Sequence, residues 1–532
     1  MKRYLTAFAV SAPLLVGLFV VEPAVAQKPG GILRVYHWDS PASMSIHEEA
    51  TYSTVVPMMG VFNNLVMYKQ DEPKNSPQSI VPDLATRWSW SEDGMHLTFA
   101  LREGVKWHDG RPFTAKDVEC TWNMLLGKPT VTLRTNPRTS WYQNLDHITA
   151  DGEHEATFHL KRPQPAFIAF LASGFSPVYP CHVSPRDMRQ QPIGTGPFKF
   201  REFKPNERIR VTRNPDYWKV SRPYLDGVEY TIITNRSTAI LGFIAGKFDM
   251  TFPYQVTIPL LRDVKAQVPQ AVCELRPNNV TSNLLINRNA PPFDDPDLRR
   301  AMALSLDRKG FIDILCEGQF TIGAVMMPPP EGIWGMPPGM LRTLPGYDPD
   351  VQKNRAEARQ LMEKLGYRPD RRLNVKTFTR NLPDFRDNAI ILIDQLKQIY
   401  IDGELDPVDT VNFFPKLYRK DYQVGFGFSA GVADDPDDAF YTRYACDAQL
   451  NTTGYCNREL EKRFDQQSME ADQEKRKKLV WEIDKKLQED VARPIIAHYR
   501  AATCWQPRVR GLTTMVSSIF NGWRFEDVWL DE

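Results

Sequence analysis

The sequence predicts an α/β protein, because strand-like and helix-like patterns are interspersed along its 532 residues. With 42% hydrophobic and 25% charged residues, its composition is that of an ordinary globular protein. A disordered, collagen-like or small disulfide-stapled chain is therefore excluded, and the length corresponds to roughly three structural units. Lys and Arg number 66 against 65 Asp and Glu, which leaves no basic excess for a phosphate backbone. We expect no nucleic-acid partner.

Residues 1–26 have the pattern of a secretory signal peptide. A basic start precedes an apolar run, and Ala24-Val25-Ala26 supplies the small residues at which such peptides are cleaved. An uncleaved membrane anchor is the alternative, but Pro13 and Gly17 interrupt a run that already falls short of the ~20 residues a spanning helix needs. We therefore expect cleavage after Ala26 and an exported protein.

The first half of the chain has clear strand and helix signals. Residues 95–101 alternate apolar and polar side chains, which predicts a half-buried strand. Thr114 and Asp117 form a capping box that begins a helix. Residues 194–233 predict a strand, a turn and a second strand, and residues 239–250 predict a helix followed by a strand.

Helix signals are more frequent in the second half. Asp295 can cap a helix with Pro296 at its first position, running to about Gly310. Further helices are expected at about 354–365 and 386–400. A last amphipathic helix is predicted from apolar residues spaced four apart, Leu479, Ile483 and Leu487.

All seven cysteines follow residue 26, and none forms a C-x-x-C pair, so a zinc ribbon or a thioredoxin-type motif is unsupported. Cys446 and Cys456 are the best candidates for a disulfide, because the polar loop between them can fold back easily. Export would provide the oxidising compartment that such a bond needs. The odd count leaves at least one thiol unpaired.

GFSAG at residues 427–431 matches the nucleophile-elbow pattern of serine hydrolases. In that hypothesis Ser429 is the nucleophile and His498 the base of an exported serine hydrolase. The mechanism requires a helix directly after the serine, whereas the acidic segment VADDPDD with Pro436 follows. The hydrolase is therefore kept as the alternative to a protein that performs no catalysis.

No cofactor or metal is expected from the motifs. The histidines lack H-E-x-x-H spacing, and GTGPFKF lacks the end of a phosphate-binding loop. ADDPDD at 433–438 is either a solvated turn or a loop that presents a carboxylate to a cationic ligand group. Trp38 and Phe428 follow strand patterns beside polar residues, where aromatic rings can stack on a ligand.

An ordered series of segments runs along nearly the whole chain after residue 26. The series comprises IVPDLATRWSWSEDGMHLTFALREGVKWHDGRPFTAKDV (80–118), GTGPFKF (194–200), NPDYWK (214–219), YLDGVEYTII (224–233), AGKFDM (245–250), LINRNAPPFDDPDLRRAMALSLDRKGFID (285–313), YDPD with LMEKLGY (347–367), and NTTGYCN with later residues (451–487). Together these segments resemble the family 5 extracellular solute-binding proteins. That family comprises periplasmic receptors of ABC importers for peptides, nickel, opines and related solutes.

The resemblance implies two lobes around a ligand cleft, with an extra subdomain in the first lobe and closure by hinge motion. The first lobe is expected at 27–61, 190–284 and 500–532, the extra subdomain at 62–189, and the second lobe at 285–499. The resemblance further implies a monomeric periplasmic protein, not an enzyme, that delivers a peptide or other small polar solute to an inner-membrane ABC permease.

The resemblance is incomplete at one functional segment. Peptide-binding members carry an Asp, in a segment like GWxADYPDP, that pairs with the α-ammonium of the peptide. The corresponding SAGVADDPDDAF places Asp434 at that position in one register and Ala433 in another, and it lacks the Trp. The solute is thus left open between a peptide, an opine, a sugar and another small molecule. The expected ligand contacts are Trp38, Phe428, Asp434, Asp435, Asn451 and Tyr499.

Overall fold

The computed structural model describes residues 27–128, 132–516 and 518–531, so the predicted signal peptide lies outside the described residues. The strands are β1 (Ile32–His37), β2 (Val66–Tyr68), β3 (Ile80–Pro82), β4 (Ala85–Trp90), β5 (His96–Leu101), β6 (Leu145–Ala150), β7 (Glu155–Leu160), β8 (Phe198–Lys204), β9 (Arg208–Arg213), β10 (Gly227–Ile232), β11 (Val272–Ile286), β12 (Leu373–Arg380), β13 (Ile401–Val408), β14 (Val424–Ala430), β15 (Ile495–Trp505), β16 (Val509–Arg510) and β17 (Trp529–Leu530).

The helices are α1 (Tyr52–Met58), α2 (Ala115–Leu125), α3 (Phe167–Leu171), α4 (Pro185–Gln190), α5 (Arg236–Ile244), α6 (Ile258–Gln267), α7 (Pro296–Leu304), α8 (Arg308–Cys316), α9 (Pro338–Leu341), α10 (Val351–Lys364), α11 (Pro383–Lys397), α12 (Thr410–Tyr418), α13 (Pro436–Arg443), α14 (Arg458–Met469) and α15 (Gln473–Glu489). Within the described part of the chain, none of them is long and apolar enough to cross a membrane.

A first sheet has the strand order β1-β10-β9-β8, in which β1 runs parallel to β10 and the other pairs are antiparallel. Alternate side chains of a strand face the same side, and Leu33, Val35, Val228 and Tyr230 are all buried. β9 was not among the predicted strands; its segment RIRVTR carries three arginines around Ile209 and Val211. Its Ile209 and Val211 are nevertheless buried.

A second sheet has the order β13-β12-β14-β11-β15. β12 is parallel to β13 and β14, whereas β11 is antiparallel to both β14 and β15. The 15-residue β11 and the 11-residue β15 pair over most of their lengths. Near one end of this pair, Met250 bridges to both Trp505 of β15 and Val35 of β1, which joins the second sheet to the first.

A third, antiparallel sheet has the order β4-β5-β7-β6 and carries α2 against β6 and β7. Its strand β5 corresponds to the half-buried strand that the alternating pattern predicts. The capping box is also confirmed, since Asp117 accepts the Thr114 backbone N–H at 3.0 Å. Cys120 in α2 is bonded to Cys181, which ties the helix to the segment before α4.

The second-half helices follow the sequence signals with one difference. Asp295 accepts the N–H of Asp297 at 2.8 Å and so caps α7. The single helix expected to run to about Gly310 is instead divided into α7 and α8. Asp307 interrupts it, because its side chain accepts the N–H of Gly310 at 2.8 Å and begins a new helix.

Candidate functional site

A large cavity lies beside β14 and β15 of the second sheet and holds about 1330 Å³ of space between protein atoms, part of it open to solvent. Its lining comes from distant parts of the chain. It includes Trp38 and residues 50–52 after β1, Tyr254, Gln255, Thr257 and Ile258 at the start of α6, residues 427–430 of β14, residues 499–501 of β15, residues of α11 and α12, and Ile519 and Phe520. Segments that come after strands of the first sheet in the chain thus meet strands of the second sheet around one space. We call this space the main cavity.

Aromatic rings form much of the main cavity's surface, and three of the six expected ligand contacts are among them. Phe428 meets Tyr499 edge to face, with ring centroids 4.9 Å apart, and Phe385 at 4.7 Å. The Tyr499 hydroxyl donates to Asn388 Oδ1 at 2.8 Å. Trp38 packs at 5.3 Å from Tyr52. Such fixed, flat apolar surfaces are suited to stacking on a small solute.

Two ion pairs connect the segments around the main cavity. Arg380 at the end of β12 pairs with Asp39 after β1, and both side chains are buried. Its guanidinium also lies 5.2 Å from the Trp38 ring centroid. Asp384 in α11 pairs with Arg236 in α5. The two pairs therefore join segments that come after β1 and β10 of the first sheet to β12 of the second sheet and to α11, the helix that follows β12.

The acidic segment lies beside the main cavity and does not line it. Asp435 caps α13 by accepting the Asp437 N–H at 2.9 Å, and it pairs with Arg476 at 2.7 Å. Asp434 lines a second, smaller cavity of about 470 Å³ together with Asp438. The two cavities share Ser429 and Arg443.

Burial raises the pKa of several carboxyl groups in this acidic segment. The pKa of Asp434 is raised to about 6 by burial and by the neighbouring Asp435. Burial also raises the pKa of Asp438 to about 6. Asp435 has a raised pKa from burial, which the Arg476 guanidinium opposes. Asp434 and Asp438 are thus costly to ionise in the folded protein, and an added cation would relieve that cost.

Asn451 does not line the main cavity but orders a loop that does. Its amide donates to the carbonyl oxygens of Ala445 at 2.9 Å and Tyr455 at 2.6 Å. Its neighbours Leu450 and Thr452 reach the cavity. Cys446 and Cys456, the pair expected from the sequence, are joined in a disulfide that closes this loop. Cys273 and Cys504 form a further disulfide between β11 and β15, and Cys316 is free and buried.

The serine hydrolase alternative is not supported by the geometry. Ser429 and His498 both lie opposite Thr281, on the two different neighbours of β11. A whole strand separates them, about 9 to 10 Å, whereas a nucleophile and its base must approach to about 3 Å. His498 Nε2 is 2.9 Å from the Ala324 carbonyl oxygen. No helix begins directly after Ser429, since α13 begins at Pro436.

Sequence reasoning missed the arginines that line the main cavity, Arg380, Arg443, Arg493 and Arg500. Arg493 directly precedes the apolar segment PIIA and Arg500 lies within the same strand, but neither position indicates a cavity. All four can be found only once the fold brings their elements together.

Comparisons with known proteins agree with this architecture. The model of the bacterial extracellular solute-binding proteins, family 5, middle region, matches residues 79–451. Di/tripeptide-binding protein 1 of Pseudomonas aeruginosa (strain UCBPP-PA14) is 27% identical over 477 residues, 84% of each chain. The periplasmic oligopeptide-binding protein OppA of Salmonella typhimurium is 26% identical over 458 residues, 81% of each chain.

A solved structure gives the same result at the level of the fold. The periplasmic binding protein DppA from Helicobacter pylori, in complex with the peptide STSA, superposes with a TM-score of 0.81. The superposition covers 95% of this chain and 99% of that one, at 21% identity. The fold is therefore the two-lobed α/β fold of the periplasmic binding proteins, as the resemblance implied. Because the family model matches more than half of the chain, the chain belongs to family 5 of the bacterial extracellular solute-binding proteins.

Proposed function

We propose that this protein is the periplasmic receptor of an ABC importer, which encloses a peptide or other small polar solute in the main cavity. The observation that carries the proposal is the position of that cavity, between segments that follow the first sheet and strands of the second. A cleft between two such bodies can close on a solute by hinge motion and present the closed form to a permease.

The proposed division into lobes follows the sheets. The first sheet draws its strands from the proposed first lobe and the third sheet from the proposed subdomain at 62–189. β12, β13 and β14 belong to the proposed second lobe at 285–499, and β11 and β15 each cross between the two lobes. Two crossing strands are suited to act as the hinge. The Asp39–Arg380 and Arg236–Asp384 pairs would hold the lobes together in the closed form.

We assign distinct roles to the expected ligand contacts. Trp38, Phe428 and Tyr499 would stack on the solute from the cavity wall. Asp434 is the candidate partner for an amino group of the solute that reaches the smaller cavity. Asp435 would support it by holding α13 through Arg476, and Asn451 would fix the loop that carries Leu450 and Thr452.

The relatives named above as di/tripeptide- and oligopeptide-binding proteins make peptides the first solutes to test. The test is calorimetric titration of the full chain with a panel of di- and tripeptides. We expect at least one peptide to bind, and Phe428→Ala to weaken that binding about tenfold or more, because an aromatic ring of the cavity wall is lost. Phe203→Ala, on half-buried Phe203 of β8 away from the cavity, is the matched control. Equal affinities of the wild type and Phe428→Ala would contradict this site assignment.

A further inference from the structure

The charged side chains that line the main cavity are not all neutralised. Arg380 pairs with Asp39, Arg500 with Glu331, and Asp384 with Arg236. Asp384 is the only carboxylate among the described lining residues. Two arginines of the lining, Arg443 and Arg493, have no ion pair with any described residue. The cavity therefore carries positive charge that the described chain leaves uncompensated.

Arg493 is the stronger of the two observations. The residue is only 6% exposed, and its Nε is buried without a hydrogen-bond partner. No hydrogen bond or ion pair joins its guanidinium to another residue within the described ranges. Burial, with a contribution from nearby Arg443, lowers its pKa to about 10, so the group is still charged at neutral pH. A buried guanidinium without an anion is unfavourable, and an anion from outside the described residues would relieve that cost.

Neighbouring groups complete a polar patch around Arg493. Thr452 also lines the main cavity, and its buried hydroxyl has no partner. Thr453 donates its hydroxyl to the carbonyl oxygen of Ala492 at 2.9 Å, which holds this loop against the residue before Arg493. The Cys446–Cys456 disulfide closes the same loop. Thr452, with its unpartnered hydroxyl, and Arg493 thus both lie at the cavity wall, on backbone that these bonds hold in place.

Arg443 adds a second positive charge from the end of α13. One of its terminal nitrogens donates to the carbonyl oxygen of Ala430 at the end of β14. The carboxylate of Asp438, on the same helix, acts on Arg443 electrostatically but accepts the Val432 N–H at 2.7 Å. The guanidinium of Arg443 therefore keeps donors available at the boundary of the two cavities.

We propose that Arg493 and Arg443, with the Thr452 hydroxyl, form a carboxylate-binding subsite of the main cavity, and that the solute is bound through a carboxylate seated there. This inference rests on the proposed receptor function and narrows its solute class to carboxylates. Guanidinium groups bind carboxylates through paired charge-assisted hydrogen bonds, so the subsite would fix both the position and the orientation of the solute. A free peptide C-terminus and a small organic acid both offer this group.

The subsite can be tested without knowing the solute, with acetate as the probe. Thermal unfolding of the dialysed full chain is compared in sodium acetate and sodium chloride at equal ionic strength, and with acetamide as a neutral isostere. We expect acetate alone to raise the unfolding temperature of the wild type, and Arg493→Met to abolish that rise. Arg500→Met is the matched control and keeps it, since Arg500 lines the same cavity but already pairs with Glu331. An equal acetate effect in the wild type and Arg493→Met, or no acetate effect at all, overturns the proposal. If Arg493→Met does not fold, Arg493→Gln gives the same readout.

A second measurement separates this subsite from the receptor function. Peptides that bind the wild type are titrated again as C-terminal amides, and solute released from the purified protein is methyl-esterified to count its carboxyl groups. We expect amidation, or Arg493→Met, to weaken binding about 30-fold or more. Binding that survives both changes unaltered refutes the subsite and leaves the receptor function standing. An acetate effect in a protein that binds no peptide and releases no solute refutes the receptor function and leaves the subsite standing.

Discussion

Opposite charges are segregated at the residue scale around the two cavities. The main cavity is lined by arginines and aromatic rings, and the smaller one by Asp434, Asp435 and Asp438. Arg443 lines both cavities, so one guanidinium faces the acidic and the basic regions at once. A solute that carries both an amino group and a carboxylate would match this arrangement.

Asp434 predicts a specific pH dependence of stability. Its pKa in the folded protein is about 6, above its ordinary value of 3.8, so the folded state binds the proton more tightly than the unfolded chain does. This carboxyl therefore contributes no cost below about pH 4, and its cost grows as the pH rises from about 4 and is complete above about 6. We expect Asp434→Asn to raise the free energy of unfolding by about 2 kcal/mol at pH 7.5 and hardly at all at pH 4.

Urea unfolding at the two pH values measures this difference. Asp71→Asn, on the exposed Asp71, changes the net charge by the same amount and is the matched control. A gain for Asp434→Asn that is the same at pH 4 and pH 7.5, or that Asp71→Asn reproduces, would contradict a raised pKa of Asp434 in the folded protein.

Individual site residues were only partly predictable from the sequence. Trp38 and Phe428 were found because each stands beside polar residues at a strand end, where the structure places the cavity wall. The role of Asp435 depends on Arg476, which is 41 residues away and approaches only because α13 packs on α14 and α14 packs on α15. Arginines that line the cavity come from separate elements, and no local pattern brings them together.

At the scale of elements, the loop between Cys446 and Cys456 connects sequence to function. It lies between α13 and α14, and Leu450 and Thr452 bring it to the main cavity. The side chain of Asn451 holds it internally through two carbonyl oxygens. A loop that is already ordered loses little conformational entropy when a solute binds.

Removing this disulfide is expected to affect both stability and binding. The bridged cysteines are 10 residues apart, and closing so short a loop contributes about 3 kcal/mol by restricting the unfolded chain. We expect Cys446→Ser with Cys456→Ser to lose about that free energy of unfolding and to weaken solute binding. Urea unfolding and calorimetry measure the two effects.

The Cys120–Cys181 disulfide provides the control, because neither cysteine lines either cavity. Its removal should lower the free energy of unfolding and leave the affinity for the solute unchanged. If both disulfide variants changed the affinity equally, the loop would have no special relation to the site.

Elements with strong local signals were predicted well, and those that depend on tertiary contacts were not. β5 shows strict alternation and formed as expected, and α7, which has both a capping Asp295 and a Pro, begins where it was expected to begin. β9 escaped prediction because its burial depends on pairing with β8 and β10 on its two sides. The break between α7 and α8 depends on Asp307, whose capping bond competes with helix continuation.

At the scale of the whole molecule, the C-terminal segment returns to the first half of the chain. Arg524 pairs with Asp83 at 3.0 Å, and both side chains are fully buried. Asp83 also accepts hydrogen bonds from the Asn63 amide at 2.9 Å and the Asn64 backbone at 2.9 Å. Tyr217 donates to Glu526 at 2.6 Å nearby. Parts of the chain more than 400 residues apart are thus joined by a buried polar network.

Breaking this network should be among the most destabilising single changes. Asp83→Ala leaves a buried guanidinium without its anion, and we expect a loss of about 3 to 5 kcal/mol in the free energy of unfolding. Asp527→Ala breaks the nearby but partly exposed pair with Arg222 and should cost about 1 kcal/mol or less. Urea unfolding measures the loss in both variants. Similar losses in the free energy of unfolding for Asp83→Ala and Asp527→Ala would contradict a special contribution of the buried network.

If the main cavity encloses a solute, mass spectrometry of the natively purified protein will detect it. The full chain is purified without denaturation and then denatured, and the released small molecules are compared between the wild type and the Trp38→Ala, Phe428→Ala double variant. We predict one small solute in equimolar amount from the wild type and its loss from the double variant, since both rings line the cavity. A wild type that releases the same molecules in the same amounts as the double variant would contradict an enclosed solute in the main cavity.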